Sequence, residues 1–324
     1  MDIVYNGNKD SRLYKTVIGE TIDALMKEDE KVVWLDADLR GCSGTAGKPG
    51  DRYINCGIAE ANMIGIAAGL AASGMKPYAH SFGPFASRRS YDQAFLAAGY
   101  AGNAVTIIGT DPGITAAFNG GTHMPFEDMA LYRAMPEATV YDITDVPMLI
   151  DTLKKTKDMP GVKYIRVPRA ASYQIYADGT EFTPGRGIVL REGNDALIVA
   201  SGIMVQEALE AAKKLSEEDG FEVAVIDPVT VKPLDTKLIR EWAKKTGLVV
   251  TAENHNRIGG LTSAVEDALI GMPLQFGHVA VEDCFGEVGP QDYLREKFAL
   301  TDKHICRVIR ELDNNREGLE WEVE

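Results

Sequence analysis

The residue with the most chemical promise is Glu60, because it opens a helical run whose next fifteen residues carry no charge (INCGIAEANMIGIAAGLAASG). Met63, Ile64, Ala67 and Ala68 share its helical face. A carboxylate in a first helical turn is favoured by the helix dipole, and an exposed glutamate in that role is the plain structural reading. On an apolar stripe, however, the same group must be neutralised or find a polar partner, with burial raising its pKa. Gly65 and Gly69, set among alanines, leave a nearly smooth face suited to another subunit or to a flat ligand.

Other segments carry weaker signals. SFGPFASRRSYDQ places Phe82 and Phe85 one turn apart, as core rings or as a stacking surface. TDPGITAAFNGGTHMPFEDMALYRAMP contains Gly113, Gly120 and Gly121, so its backbone turns tightly and approaches a ligand closely; it also carries Asp111, Asn119 and His123. Arg12 in DSRLYKTVIGE and Arg169 in YIRVPRAAS offer planar guanidinium groups for paired hydrogen bonds to an anion, against the bland alternative of surface charge. Gly259 and Gly260 precede a helix, either to bind an anion or simply to turn.

These residues need a scaffold, and short β-branched runs supply it. Strands are predicted at 32–38, 77–82, 104–110, 139–143 and 162–167, with helical patterns between them. That alternation defines an α/β chain with mostly parallel sheets covered by helices. The pattern pauses over 170–187, then resumes on a smaller scale with strands at 196–201, 222–227 and 248–252 and helices at 205–218 and 235–246. Two domains follow, 1–175 and 188–324, joined by a linker at 176–187. Ligands of such sheets sit beyond the carboxyl ends of the strands, where the informative loops fall.

Composition narrows the classes. With 324 residues, 45% hydrophobic and 25% charged, the chain is long enough for two cores. Its net charge of −14 disfavours nucleic acid and anionic membranes. Cys42, Cys56, Cys284 and Cys306 have no paired spacing and read as free thiols. The first residues lack an apolar signal core, and the run 61–75 is too short and glycine-rich to span a bilayer, so a cytoplasmic protein is expected.

GIAE followed by an alanine- and glycine-rich helix resembles the pyrimidine-binding domain of thiamine-diphosphate enzymes of the transketolase group. VIDPVTVKPLD, TAENHNRIGGLTSAVEDAL and GEVGPQDYLREKF resemble the small carboxyl-terminal domain of the same family, so the likeness spans about 12–315. The resemblance implies that Glu60 bonds a ring nitrogen of the cofactor's aminopyrimidine and activates it, and that Phe82 and Phe85 pack on that ring. It implies that Asp38 and Leu39 border the thiazolium, and that His123 and Asn119 face the sugar. Arg12, Arg169 and Ser43 would grip an anionic sugar end. Two positions depart from the family pattern: Asn119 stands for an acidic residue and Asp111 for a phosphate-binding histidine, which loosens the sugar preference.

The family holds the cofactor diphosphate through Mg2+ at a GDG motif followed by asparagines. No GDG occurs here, and Asn314 and Asn315 have nothing upstream to accompany them. The expected protein is therefore the carboxyl-terminal subunit of a split transketolase, moving a two-carbon ketol unit from a ketose to an aldose, both with phosphate or similar anionic ends. An amino-terminal subunit would supply the diphosphate site in a two-plus-two heterotetramer. The alternatives are a 2-oxo-acid dehydrogenase beta subunit, half of a deoxyxylulose-phosphate synthase, or a catalytically silent interaction subunit.

Overall fold

The computed structural model describes residues 3–316, so residues 1–2 and 317–324 of the two expected domains lie outside the described residues. In the first half, β1 (Val32–Asp36), β2 (Tyr53–Asn55), β3 (Lys76–Phe82), β4 (Val105–Thr110), β5 (Thr139–Asp142) and β6 (Val162–Val167) alternate with helices. The helices are α1 (Tyr14–Glu28), α2 (Glu60–Ala72), the short α3 (Gly83–Ala86) and α4 (Tyr91–Gln93), α5 (Asp128–Ala134) and α6 (Val146–Thr156). β1, β4 and β6 are buried at every position, as central strands covered on both faces must be.

The second half contains β7 (Ile188–Arg191), β8 (Ala196–Ala200), α7 (Met204–Asp219), β9 (Val223–Asp227), β10 (Thr230–Lys232) and α8 (Thr236–Thr246). It continues with β11 (Leu248–Asn256), α9 (Leu261–Leu269), β12 (Gln275–Val281), α10 (Gln291–Lys297) and α11 (Asp302–Arg316). Its five strands run in the order β12-β11-β8-β9-β7, parallel except for β7. Asp235 caps α8 by accepting from Leu238 N at 3.1 Å, which explains a start one residue later than the pattern suggests.

Two expectations about the domain junction change. The seven-stranded sheet has the order β10-β5-β6-β4-β3-β1-β2, so β10 leaves the second domain to pair antiparallel with β5 of the first. The edge of β5 is thereby covered rather than left to pair with another chain. The predicted linker is likewise no loose tether. Tyr176 and Phe182 are buried with ring centroids 4.8 Å apart, and Asp145 Oδ2 accepts from Ile175 N and Tyr176 N at 2.9 and 2.8 Å. Backbone groups in a strap this deep need such partners.

The strand predicted at 248–252 extends to Asn256 because β12 pairs along it that far. Its added end, Glu253, Asn254 and His255, is fully polar and fully enclosed. Asn254 meets the loop that leaves the carboxyl end of β4, while Glu253 turns to the start of α9.

Candidate active site

Glu60 is the first residue of α2 and is 3% exposed, with Met63, Ile64, Ala67 and Ala68 buried along the same face. Its polar partner is Arg89, whose Nη1 donates to Glu60 Oε1 at 2.9 Å. The same guanidinium sits over aromatic surface, its carbon 3.8 Å from the Phe85 ring centroid. Phe82, ending β3, and Phe85, on α3, meet edge to face at 6.4 Å. His123 closes the group, its ring 5.7 Å from Phe82 and 5.0 Å from Phe85. The opposite side of α2, with Gly65 and Gly69, faces solvent beside Ile58, which is 77% exposed.

A second group begins where Arg169 approaches Phe82, its guanidinium carbon 5.8 Å from the ring centroid. Arg169 is ion-paired with Asp111, a buried residue held at φ 60° immediately after β4. Burial pushes the Asp111 carboxyl above its usual range, with Arg169 and then His123 opposing. Both line a cavity of about 240 Å³ with Tyr14, Lys15 and Cys42. Burial raises the Cys42 thiol and Asp111 adds to that, while Arg169 and Lys15 pull the other way. The two groups form one continuous strip, from Glu60 through the rings and His123 to Arg169 and Lys15.

The loop carrying Asp111, Asn119 and His123 is fastened from several sides. Arg88 donates to Glu127 Oε1 at 2.6 Å and to the Thr122 carbonyl at 3.2 Å. From the second domain, Asn254 Oδ1 accepts from Ile114 N at 2.9 Å and its Nδ2 donates to the Pro112 carbonyl at 3.0 Å. Gly113, at φ 53°, has no room for a side chain, since a Cβ would lie 2.2 Å from Asn254 Oδ1. Below this contact, fully buried Arg166 pairs with Asp128 at 2.8 Å and Asp142 at 3.1 Å and donates to the Asn254 carbonyl at 3.0 Å. Asn119 is half-buried near the loop tip, beside exposed Phe118.

Other predicted site residues stand apart from this strip. Arg12 is engaged with Asp10 at 2.6 Å and Asp178 at 2.8 Å, in a different hollow lined by Asp151 and Lys154. Ser43 is fully buried, its hydroxyl donating to the Arg40 carbonyl at 3.3 Å and lying 2.9 Å from Thr45 Oγ1. Both polar tips are thus occupied by the protein itself. Asp38 lies exposed in the loop after β1, at φ 65°, and exchanges hydrogen bonds with Asn55; Leu39 N donates to Asp36 Oδ1 at 3.1 Å. At Gly260 the helix-start anion is the protein's own. Glu253 accepts from Leu261 N at 2.6 Å and Thr262 N at 2.8 Å, and a Cβ on Gly260 would lie 2.0 Å from its Oε2.

Arg89, Lys15 and Asn254 were not singled out in the sequence, and Cys42 was read only as a free thiol. The doublet Arg88–Arg89 beside two phenylalanines and the polar run ENHN ending an apolar strand were the available signals. Lys15 and Cys42 offered none, because only the fold brings them beside Arg169.

Placed on the carboxyl edge of a parallel sheet, a sheltered carboxylate beside flat rings suits the pyrimidine half of a thiamine-diphosphate enzyme. The family model for the transketolase pyrimidine-binding domain matches residues 11–173, and that for the transketolase C-terminal domain matches residues 185–305. The chain belongs to the transketolase family, whose members depend on thiamine diphosphate. It is 46% identical over 303 residues to a 6-deoxy-6-sulfo-D-fructose transketolase subunit of Clostridium sp. (strain MSTE9), covering 91% of this chain and 94% of that one. It is 36% identical to a putative transketolase C-terminal section of Methanocaldococcus jannaschii, covering 90% and 94%. Among solved structures, a split gene transketolase described as an inactive beta4 tetramer superposes with TM-score 0.84 at 36% identity, covering 94% of this chain and 98% of that one.

Proposed function

We propose that this chain is the carboxyl-terminal subunit of a two-chain transketolase, which transfers a two-carbon ketol unit from a ketose to an aldose, both with anionic tails. The observation that carries this reading is the Glu60, Phe85 and Arg89 arrangement. In the structure Arg89 occupies this place, its guanidinium over Phe85 and donating a hydrogen bond to Glu60. An aminopyrimidine is also flat and nitrogen-rich, and its ring nitrogen would accept from Glu60 where Arg89 donates. When bound, thiamine diphosphate supplies the nucleophilic carbon that takes up and returns the ketol unit.

This chain's own residues have defined tasks in that reading. Glu60 exchanges a proton with the pyrimidine ring nitrogen. Phe82 and Phe85 fix the plane of the ring, and Asp38 and Leu39 border the adjoining part of the cofactor. His123 and Asn119 meet the sugar oxygens, and Arg169 holds the tail. A partner chain with the diphosphate-binding domain holds Mg2+, in a two-plus-two assembly. The solved relative supports a need for that partner, since a tetramer of one chain type is described as inactive. The four cysteines are unpaired, which supports a reducing cytoplasmic setting.

The test is co-purification with a GDG-bearing partner, followed by thiamine-dependent ketol transfer to a panel of anionic aldoses. Glu60→Gln should lower turnover by about 10²-fold or more with the assembly unchanged by size-exclusion chromatography. Full activity in that variant would refute the role of Glu60, and absence of transfer to every acceptor would refute the enzyme.

A further inference from the structure

We infer that Asp111 sets the net charge of the sugar-tail seat, so that Lys15 and Arg169 together receive a singly charged tail such as a sulfonate and disfavour a phosphate dianion. This deepens the proposed function and rests on it for the identity of the ligand as a sugar.

The cavity beside Phe82 contains three charged side chains among the described residues: Lys15, Asp111 and Arg169. Lys15 is exposed and the Arg169 side chain is 43% exposed, so both cations reach an incoming group. Asp111 is different. It is 3% exposed, its N–H donates to the Val167 carbonyl at 3.0 Å, and its carboxylate takes one edge of the Arg169 guanidinium. A carboxylate fixed in this way cannot retreat when an anion arrives. Two cations and one immobile carboxylate leave a single positive charge to be matched.

A sulfonate carries one negative charge at neutral pH, whereas a phosphate monoester carries about 1.5 to 2. The additional charge of the phosphate faces Asp111 across a few ångströms without a cation of its own. At that range a like charge in a partly sheltered cavity costs roughly tenfold or more in affinity. Arg12 does not restore the balance, because Asp10 and Asp178 hold it at another hollow. The 46% identical relative is named for a sulfonated ketose, which agrees with the charge count.

Cys42 gives a local reporter, since it lines the cavity and is exposed. The full chain would be alkylated with iodoacetamide at pH 8 in the presence of ethanesulfonate or ethyl phosphate, and labelling at Cys42 followed by peptide mass spectrometry. Protection by ethanesulfonate at about tenfold lower concentration is expected, with Asp111→Asn erasing or reversing the preference. Lys15→Gln should weaken protection by both anions, and as a surface change it gives a second reading if Asp111→Asn misfolds. Equal or better protection by ethyl phosphate, no protection by either anion, or an unchanged ratio in Asp111→Asn would each overturn the inference. A parallel donor assay in the partner complex compares 6-deoxy-6-sulfo-D-fructose with the 6-phosphate of the same ketose. Absence of any ketol transfer there counts against the proposed function, while Cys42 labelling still decides the charge of the seat.

Discussion

Replacing Asn254 by alanine should loosen the Asp111 loop without unfolding the sheet that carries it. The carboxamide makes two hydrogen bonds to the loop, from Ile114 N at 2.9 Å and to the Pro112 carbonyl at 3.0 Å, at a position 2% exposed. Each stranded backbone group costs roughly 1–3 kcal/mol if it stays dry. Water entering the space left by the amide recovers part of this, so the net loss is about 2–4 kcal/mol. Gly113 approaches so closely that the loop is shaped around this one side chain. The loss should therefore appear as local opening before global unfolding. Hydrogen exchange measures it directly: the Ile114 amide should exchange about 30- to 1,000-fold faster, with Ile107 and Ile108 in β4 unchanged. Ile114 exchange within threefold of wild type would refute the clamp.

Two further predictions concern buried charge. Burial pushes Glu253 up to about 7 from an ordinary 4.5, despite the backbone donors that favour its charged form. A carboxyl with a raised folded-state pKa stabilises fully below its unfolded value, and that contribution is lost as pH rises through the folded one. The urea midpoint should therefore fall between about pH 4.5 and 7, with a flatter profile in Glu253→Gln; equal slopes would sink the assignment. Asp128→Asn removes one of two carboxylates neutralising fully buried Arg166, and should cost about 3–5 kcal/mol in urea unfolding. A loss under about 1 kcal/mol would show that Asp142 suffices.

The features legible in the sequence were those whose cause is local. Short β-branched runs revealed β1, β4 and β6, although β6 carries Lys163 and Arg166, whose burial its sequence does not announce. Glu60 was legible because an uncharged helix surrounds it, and the requirement for a polar partner followed from desolvation. The partner was not legible, since Arg88 and Arg89 are neighbours with different tasks, one on the His123 loop and one on Glu60. Arg12 was legible as a cation but its surroundings were not. The family resemblance suggested a grip on an anionic sugar end; in the structure Asp10, two residues away, and Asp178, from the strap between the domains, pair with it.

The second domain offers little evident chemistry in the sequence, yet the structure brings it against the loop of the candidate site. The polar end of β11 lies at the carboxyl edge of its own sheet and meets the loops from the carboxyl edge of the other. Asn254 holds the loop after β4, Asn256 N donates to the Phe126 carbonyl at 3.0 Å just past His123, and Arg166 ties both contacts to β6. Asp111 and Arg169 therefore sit between strands of one domain and a clamp from the other, on backbone with little freedom to adapt. A seat that cannot rearrange must discriminate through its fixed charges. Exchanging a single side chain at position 111 is then a shorter route to a different anionic tail than remodelling the loop.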